Sequence, residues 1–127
     1  ALFHKQDKKV IGSLGLHEDK LRKGVLAKSM GYVLSKGYWN LGLATEAAKH
    51  AVKHVFEDMN LELLAVYHYP FNQRSKRVIE KCGFICEGTL RHAVKLYDGR
   101  VYSAVCYSML RSEYALLHLN EESRNDA

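Results

Sequence analysis

The sequence predicts an α/β (α+β) fold: a mixed, mostly antiparallel central sheet with one parallel β-α-β crossover. Three observations predict it. The strand-like run Met30 to Ser35 enters a glycine-bearing bend, a strongly periodic helix leaves that bend, and a second strand-like run, Leu61 to His68, follows. Strand, helix, strand in that order makes a right-handed parallel crossover. Runs that read as antiparallel hairpins stand at both ends of the chain, and 127 residues without an internal repeat or linker suffice for one domain around one core.

The elements follow in order. Leu2 to Lys5 and Val10 to His17, joined by Gln6-Asp7-Lys8-Lys9, predict a β-hairpin. Glu18 to Gly24 is a polar connection. Val25 to Ser35 predicts a third strand, in which Gly31 signals a bulge or a close backbone approach. After the bend, Ala44, Ala47, Ala48, Ala51, Val52, Val55, Phe56 and Met59 share one helical face, and Asn60 is a left-handed stop. Leu61 to His68 is apolar enough for a strand buried on both faces. A second helix is predicted over Gln73 to Cys82, with Val78, Ile79 and Cys82 inward and Gly83 ending it. Phe84 to Leu96 and Arg100 to Arg111 predict a long hairpin around Tyr97-Asp98-Gly99, with a bulge at Glu87-Gly88. Leu116, Leu117 and Leu119 allow a short docking turn, and Glu121 to Ala127 is expected to fray.

Composition narrows the function. A 47% hydrophobic and 26% charged chain, with no long apolar run and no signal-peptide pattern, reads as a cytoplasmic globular protein without a membrane role. It opens on Ala1 directly in strand-like sequence, so a fragment or processed chain is expected. Cys82, Cys86 and Cys106 are an odd set without a disulfide framework, read as reduced thiols. No metal is expected. His50 and His54 stand one turn apart on the polar helix face but lack a third ligand. A net charge of +5 suits an anionic ligand, a nucleic acid or an acidic partner. The basic residues are scattered, however, and the clusters at Lys8-Lys9, Lys20 to Lys23 and Arg74 to Arg77 read mostly as solvated surface. No aromatic stacking pattern or recognised motif supports nucleic-acid binding.

Chemistry concentrates at Gly37-Tyr38-Trp39-Asn40-Leu41-Gly42-Leu43-Ala44-Thr45-Glu46-Ala47. Small side chains at Gly37, Gly42 and Ala44 let a ligand approach the backbone. The free N–H groups of the first helical turn and the helix dipole suit a phosphate or pyrophosphate. A tight turn that merely needs glycine is the plainer reading. The P-loop and the dinucleotide fingerprint are both excluded by spacing. The turn Tyr69-Pro70-Phe71-Asn72 is expected at the same strand ends, where crossover units bind ligands.

With those residues placed, the chain resembles the GNAT superfamily of N-acetyltransferases, and most of all the Rim type that acetylates ribosomal-protein N-termini. Trp39-Asn40-Leu41-Gly42-Leu43-Ala44-Thr45-Glu46-Ala47 is similar to that branch's acetyl-coenzyme A loop, usually written Trp-Gly-x-Gly-x-Ala-Thr-Glu-Ala. Asn72-x-x-Ser75, then Glu80-Lys81-Cys82-Gly83-Phe84 and Glu87-Gly88, resembles its second signature, and Tyr107-Ser108-Met109-Leu110 with Glu113-Tyr114 its ending. Asn40 and Leu41 depart from the loop pattern without removing a backbone donor. The resemblance also implies a further strand and helices ahead of Ala1, forming much of the acceptor site.

The resemblance implies a GNAT-like acyl-CoA N-acyltransferase fold with splayed parallel strands, residues 1–127 forming a single domain with 115–127 as its tail. It implies acetyl transfer from acetyl-CoA to a primary amine, a protein N-terminus or a small molecule, by direct attack. Backbone N–H groups of Leu41, Gly42, Leu43, Ala44 and Thr45 would hold the pyrophosphate, and the Gly31-Tyr32-Val33 edge the pantetheine arm. Asn72 would hold that arm by its amide or act as a helix cap. Ser75 would touch the cofactor and protonate the departing thiolate. Glu87, His68 and Tyr32 are the candidate bases. The chain would act as a monomer or homodimer. The competing reading is a catalytically silent acetyl-CoA-binding or interaction domain.

Overall fold

The computed structural model describes the backbone of residues 1–126 and the side chains of residues 1–119. Strands β1 (Leu2–His4), β2 (Lys9–Glu18) and β3 (Ala27–Leu34) lead to helix α1 (Leu43–Lys53). Strand β4 (Leu63–His68), helix α2 (Gln73–Lys81), strands β5 (Ile85–Lys95) and β6 (Val101–Leu110), and helix α3 (Arg111–Asp126) come next. The sheet order is β1-β2-β3-β4-β6-β5. Among the described residues only β3 and β4 run parallel; the other neighbours are antiparallel. The expected mixed sheet with one crossover is therefore what the chain forms. Among the described residues no helix is long and apolar enough to cross a membrane.

The core follows from the period-2 and period-3.6 patterns. Met30 of β3, Leu64 and Val66 of β4, and Tyr107 and Met109 of β6 point to one sheet face. Ala48 and Val52 of α1, Val55 and Phe56 beyond it, and Ile79 and Cys82 of the second helical segment cover them. Leu64, Ile79, Met109 and Val55 are the largest fully buried side chains. Each stabilises by about 1.5–3 kcal/mol relative to an exposed position. The opposite face shows Val33, Tyr67 and Leu110 to solvent.

Two expectations within the sheet and its first helix are corrected. Gly31 forms no bulge: β2 and β3 pair in unbroken register, Gly15 facing Gly31. The close approach at Gly31 is by the His17 ring, 3.6 Å from where a Cβ would stand. Met59 is 37% exposed rather than inward. After Lys53 the helix widens into a π turn, His54–Asp58, whose extra residue per turn rotates Met59 off the core face. Asn60 still closes it with φ 53°. The hairpin has the expected bulge between Cys86 and Gly88, and a second irregularity between Leu90 and Val94, where His92 takes φ 49°.

The C-terminal segment is a helix, not a short turn with a frayed tail. The Glu113 carboxylate accepts from the Leu110 N–H at 2.8 Å, satisfying a donor at the helix start. Arg111 Nε donates to the Leu61 carbonyl at 2.9 Å. Tyr114 stacks on Phe56 at 5.3 Å and donates to Glu57. Leu117 lies against Gly83, so close that a Cβ there would meet its Cδ1 at 2.8 Å. Leu116 and Leu119 stay exposed. Ala127, and the side chains from Asn120 onward, lie outside the described residues.

Candidate active site

The bend after β3 is built from its own sequence. A single 3₁₀ turn, Lys36–Tyr38, reverses the chain. The Trp39 indole then donates to the Leu34 carbonyl at 2.8 Å and ties the bend to the strand end. Asn40 has φ 62° and Gly42 φ 76°. Both are left-handed, a conformation that glycine adopts freely and asparagine tolerates. This explains physically how Asn40 stands where glycine was expected. The first helical bond of α1 runs from Glu46 N–H to the Gly42 carbonyl at 3.0 Å. The N–H groups of Leu43, Ala44 and Thr45 precede that ladder, and no side chain caps Gly42. They form a cluster of oriented donors at the positive end of the helix dipole.

The sheet forks beside this cluster. The β3–β4 ladder ends at Met30↔Val66. Beyond it β3 continues on β2 as far as Leu34, and β4 continues on β6 as far as His68. Strands that separate leave backbone groups of their facing edges unpaired, an opening through which an extended chain can be held. Tyr32 reaches from the β3 side of the fork to Ser75 on α2, hydroxyl to Oγ at 2.9 Å. Burial pushes the Tyr32 phenol up; the Ser75 bond opposes this, Cys82 adds to the rise and Arg74 opposes it. The hydroxyl pair therefore keeps its protons across neutral pH. Asn72 caps α2, its Oδ1 accepting from Ser75 N–H at 3.1 Å, so both readings of this residue bear on one place.

Helix start and fork open on one cleft of about 380 Å³. Of the sequence-expected residues, Tyr32, Val33, Gly42, Leu43, Ala44, Thr45, Asn72 and Ser75 line it. Leu41 is 63% exposed and outside its wall. Glu87 stands apart on β5, where Arg22 Nη2 approaches its carboxylate to 2.5 Å while Nη1 holds Asp19 at 2.7 Å. His68 is buried in the core. Its Nδ1 lies 2.7 Å from the Tyr69 carbonyl and its Nε2 3.2 Å from the Tyr107 hydroxyl. A carbonyl only accepts, so Nδ1 carries the proton and Tyr107 donates to Nε2 in the neutral ring.

The sequence reading missed the cationic wall. Arg74, Arg77 and Lys81 line the cleft, and the Arg74 guanidinium lies 3.2 Å from the Trp39 ring centroid, a cation–π contact. Their spacing of three and four places them on one face of α2, a signal legible in principle. These residues set positive charge opposite the α1 amides, an environment fit for an anion. Among the described residues no group of His, Cys, Asp and Glu gathers as a metal site, and His54 pairs with Asp58 at 2.8 Å.

Comparison with known proteins gives concordant results. The family model described as an acetyltransferase (GNAT) domain matches residues 1–85. The uncharacterized N-acetyltransferase p20 of Bacillus licheniformis is 30% identical over 115 residues, covering 91% of this chain. The chain spans 63% of that protein's length. The crystal structure of a GNAT-family acetyltransferase from Bacillus anthracis superposes with a TM-score of 0.76 at 26% identity, over 87% of this chain and 64% of that one. The ribosomal-protein-S5-alanine acetyltransferase of Vibrio fischeri shares the fold, with a TM-score of 0.79 at 23% identity, over 86% of this chain and 58% of that one.

Proposed function

The chain belongs to the GNAT acetyltransferase family, and from that premise we propose that it transfers an acetyl group from acetyl-CoA to a primary amine. The observation that carries this reading is the joint opening of an uncapped helix start and a forked parallel strand pair on one basic cleft. The amides of Gly42 to Thr45, with Leu41 at the rim, bind the pyrophosphate, and Arg74 and Arg77 add charge. The edge from Gly31 through Tyr32 to Val33 pairs with the pantetheine arm. A backbone N–H there stabilises the oxyanion that develops on the thioester carbonyl.

The amine attacks directly: its nitrogen bonds to the carbonyl carbon and the carbon–sulfur bond breaks. Ser75, hydrogen-bonded to Tyr32, gives the thiolate its proton. The acceptor reading is the Rim type, a protein N-terminal α-amine, with a small-molecule amine beside it. The loop and second-signature resemblance carries the Rim reading, while the S5-alanine acetyltransferase shares the fold. An α-amine, with a pKa of about 7.7–8.0, is easier to deprotonate than a lysine near 10.4. A second reading, an acetyl-CoA-binding domain without turnover, draws on Glu87: the expected carboxylate base is committed to Arg22.

Thermal unfolding with added acetyl-CoA tests the binding half. Acetyl-CoA at a hundredfold its dissociation constant should add about 2.7 kcal/mol of stability. No shift at millimolar acetyl-CoA contradicts the seat. Thiol release against a panel of peptides and small amines tests the transfer half; binding with no release on any amine leaves the silent reading standing.

A further inference from the structure

His17 lies on the sheet face opposite the helices. It is the last residue but one of β2 and is exposed. Its side chain lies back along the strand over two glycines that face one another across the β2–β3 ladder, Gly15 and Gly31. Nε2 is the atom nearest to both. A Cβ on Gly15 would meet it at 3.2 Å, tighter than an ordinary contact, and one on Gly31 at 3.6 Å. The paired glycines thus leave a flat seat for an imidazole, and a side chain at Gly15 would lift the ring.

The seat lies at the fork. Met30 is the last β3 residue paired with β4, so Gly31 is the first of the separated edge along which the thioester arm is read to lie. The cofactor cleft opens on the helix side of the sheet, through Tyr32 and Ser75. An amine therefore has the other face from which to approach, and there the imidazole stands over the first residue of the opening. Glu87 is less suited: Arg22 holds its carboxylate, and it sits on β5, with β4 and β6 between it and β3.

We propose that His17 is a catalytic residue, the general base that accepts the proton of the acceptor amine at the open-face side of the β3–β4 fork. This rests on the acetyl-transfer reading above. As the carbon–nitrogen bond forms and the carbon–sulfur bond breaks, one amine proton passes to His17 Nε2. The Ser75–Tyr32 pair protonates the thiolate and takes a proton back from water. His17 returns its proton to water after the amide leaves, so no proton is gained or lost over the cycle.

Other titratable groups could shape the same pH response. Glu18 and Asp19 come next in the chain, and Asp19 is held by Arg22. Lys28 of β3 pairs with Glu18 of β2, Tyr67 lies on β4, and Cys106 of β6 is raised by burial and then by Glu87, with Arg22 opposing.

The test is kcat and KM across pH for the parent and for His17→Ala, with acetyl-CoA saturating. His17→Ala should lower kcat about 10²-fold and leave the KM for acetyl-CoA within twofold. It should also remove the acidic limb of the pH profile. Free imidazole should restore part of the rate, which a purely structural histidine would not show. Gly15→Ala serves as a second variant: it displaces the ring, and a severalfold loss of kcat is expected with unchanged acetyl-CoA stabilisation. An unaltered profile in His17→Ala, or a limb removed by Glu87→Gln instead, overturns the assignment while the transfer reading survives. A parent that acetyl-CoA does not stabilise, or that acetylates no amine, overturns the two together.

Discussion

Ser75 holds its place by two bonds of different kinds: its N–H donates to the Asn72 side chain and its Oγ meets the Tyr32 hydroxyl. Ser75→Ala removes the second bond and keeps the first. It should lower kcat by about 10²-fold, the low end for general acid–base groups, with little change in KM for acetyl-CoA. A kcat equal to the parent's at every pH would remove Ser75 as the proton donor. Legibility differs sharply among the residues of the cleft. Gly42 and Ala44 are legible because small side chains just before a periodic helix serve either a tight bend or a close backbone approach. Arg74 and Arg77 read as surface because a basic residue on a helix is normally solvated, and only the fold brings Trp39 under Arg74. His17 carries no sequence signal at all. Its seat exists only once β2 and β3 have paired Gly15 with Gly31.

Elements place these residues. The left-handed Gly42 lets the bend enter α1 with its first amides exposed. Gly42→Ala should cost roughly 1–2 kcal/mol of stability from the left-handed conformation, read in denaturant unfolding. It should weaken acetyl-CoA binding more than that, since Leu43 to Thr45 turn with it. Asn72→Ala should cost about 1 kcal/mol through the lost α2 cap, again visible in the unfolding midpoint. An acetyl-CoA affinity unchanged by either variant would detach these helix starts from the cofactor. The strands and helices α1 and α2 are legible because alternation and 3.6-residue periodicity are local. Helix α3 is not. Its first turn depends on Glu113 reaching the Leu110 N–H, and its packing on Phe56 and Gly83, distant in sequence. The π turn after Lys53 is equally hidden, because it shifts Met59 off a face the periodicity assigns to the core.

At the scale of the molecule, one apolar layer between the sheet and its helices carries the stability, and Leu64 sits at its centre fully buried. Leu64→Ala should cost about 2–5 kcal/mol, measurable as a lowered thermal midpoint. Alkaline pH should act on the same layer. Burial raises the phenols of Tyr32 and Tyr107 above their ordinary value. Above pH of about 10 the unfolded chain has lost protons that the folded one retains, so stability is full below that pH and falls as pH rises through the raised folded values. A melting series from pH 8 upward should show this loss, reduced in Tyr32→Phe; no alkaline loss would contradict the burial account. The central claim is that the sheet parts beyond Met30 and Val66 to admit acetyl-CoA beside the α1 amides. The most direct test is an amide NMR titration of the chain with acetyl-CoA. The largest shifts should fall on Gly31 to Val33 and Gly42 to Thr45, and shifts confined to other parts of the chain, or none at saturation, would contradict it.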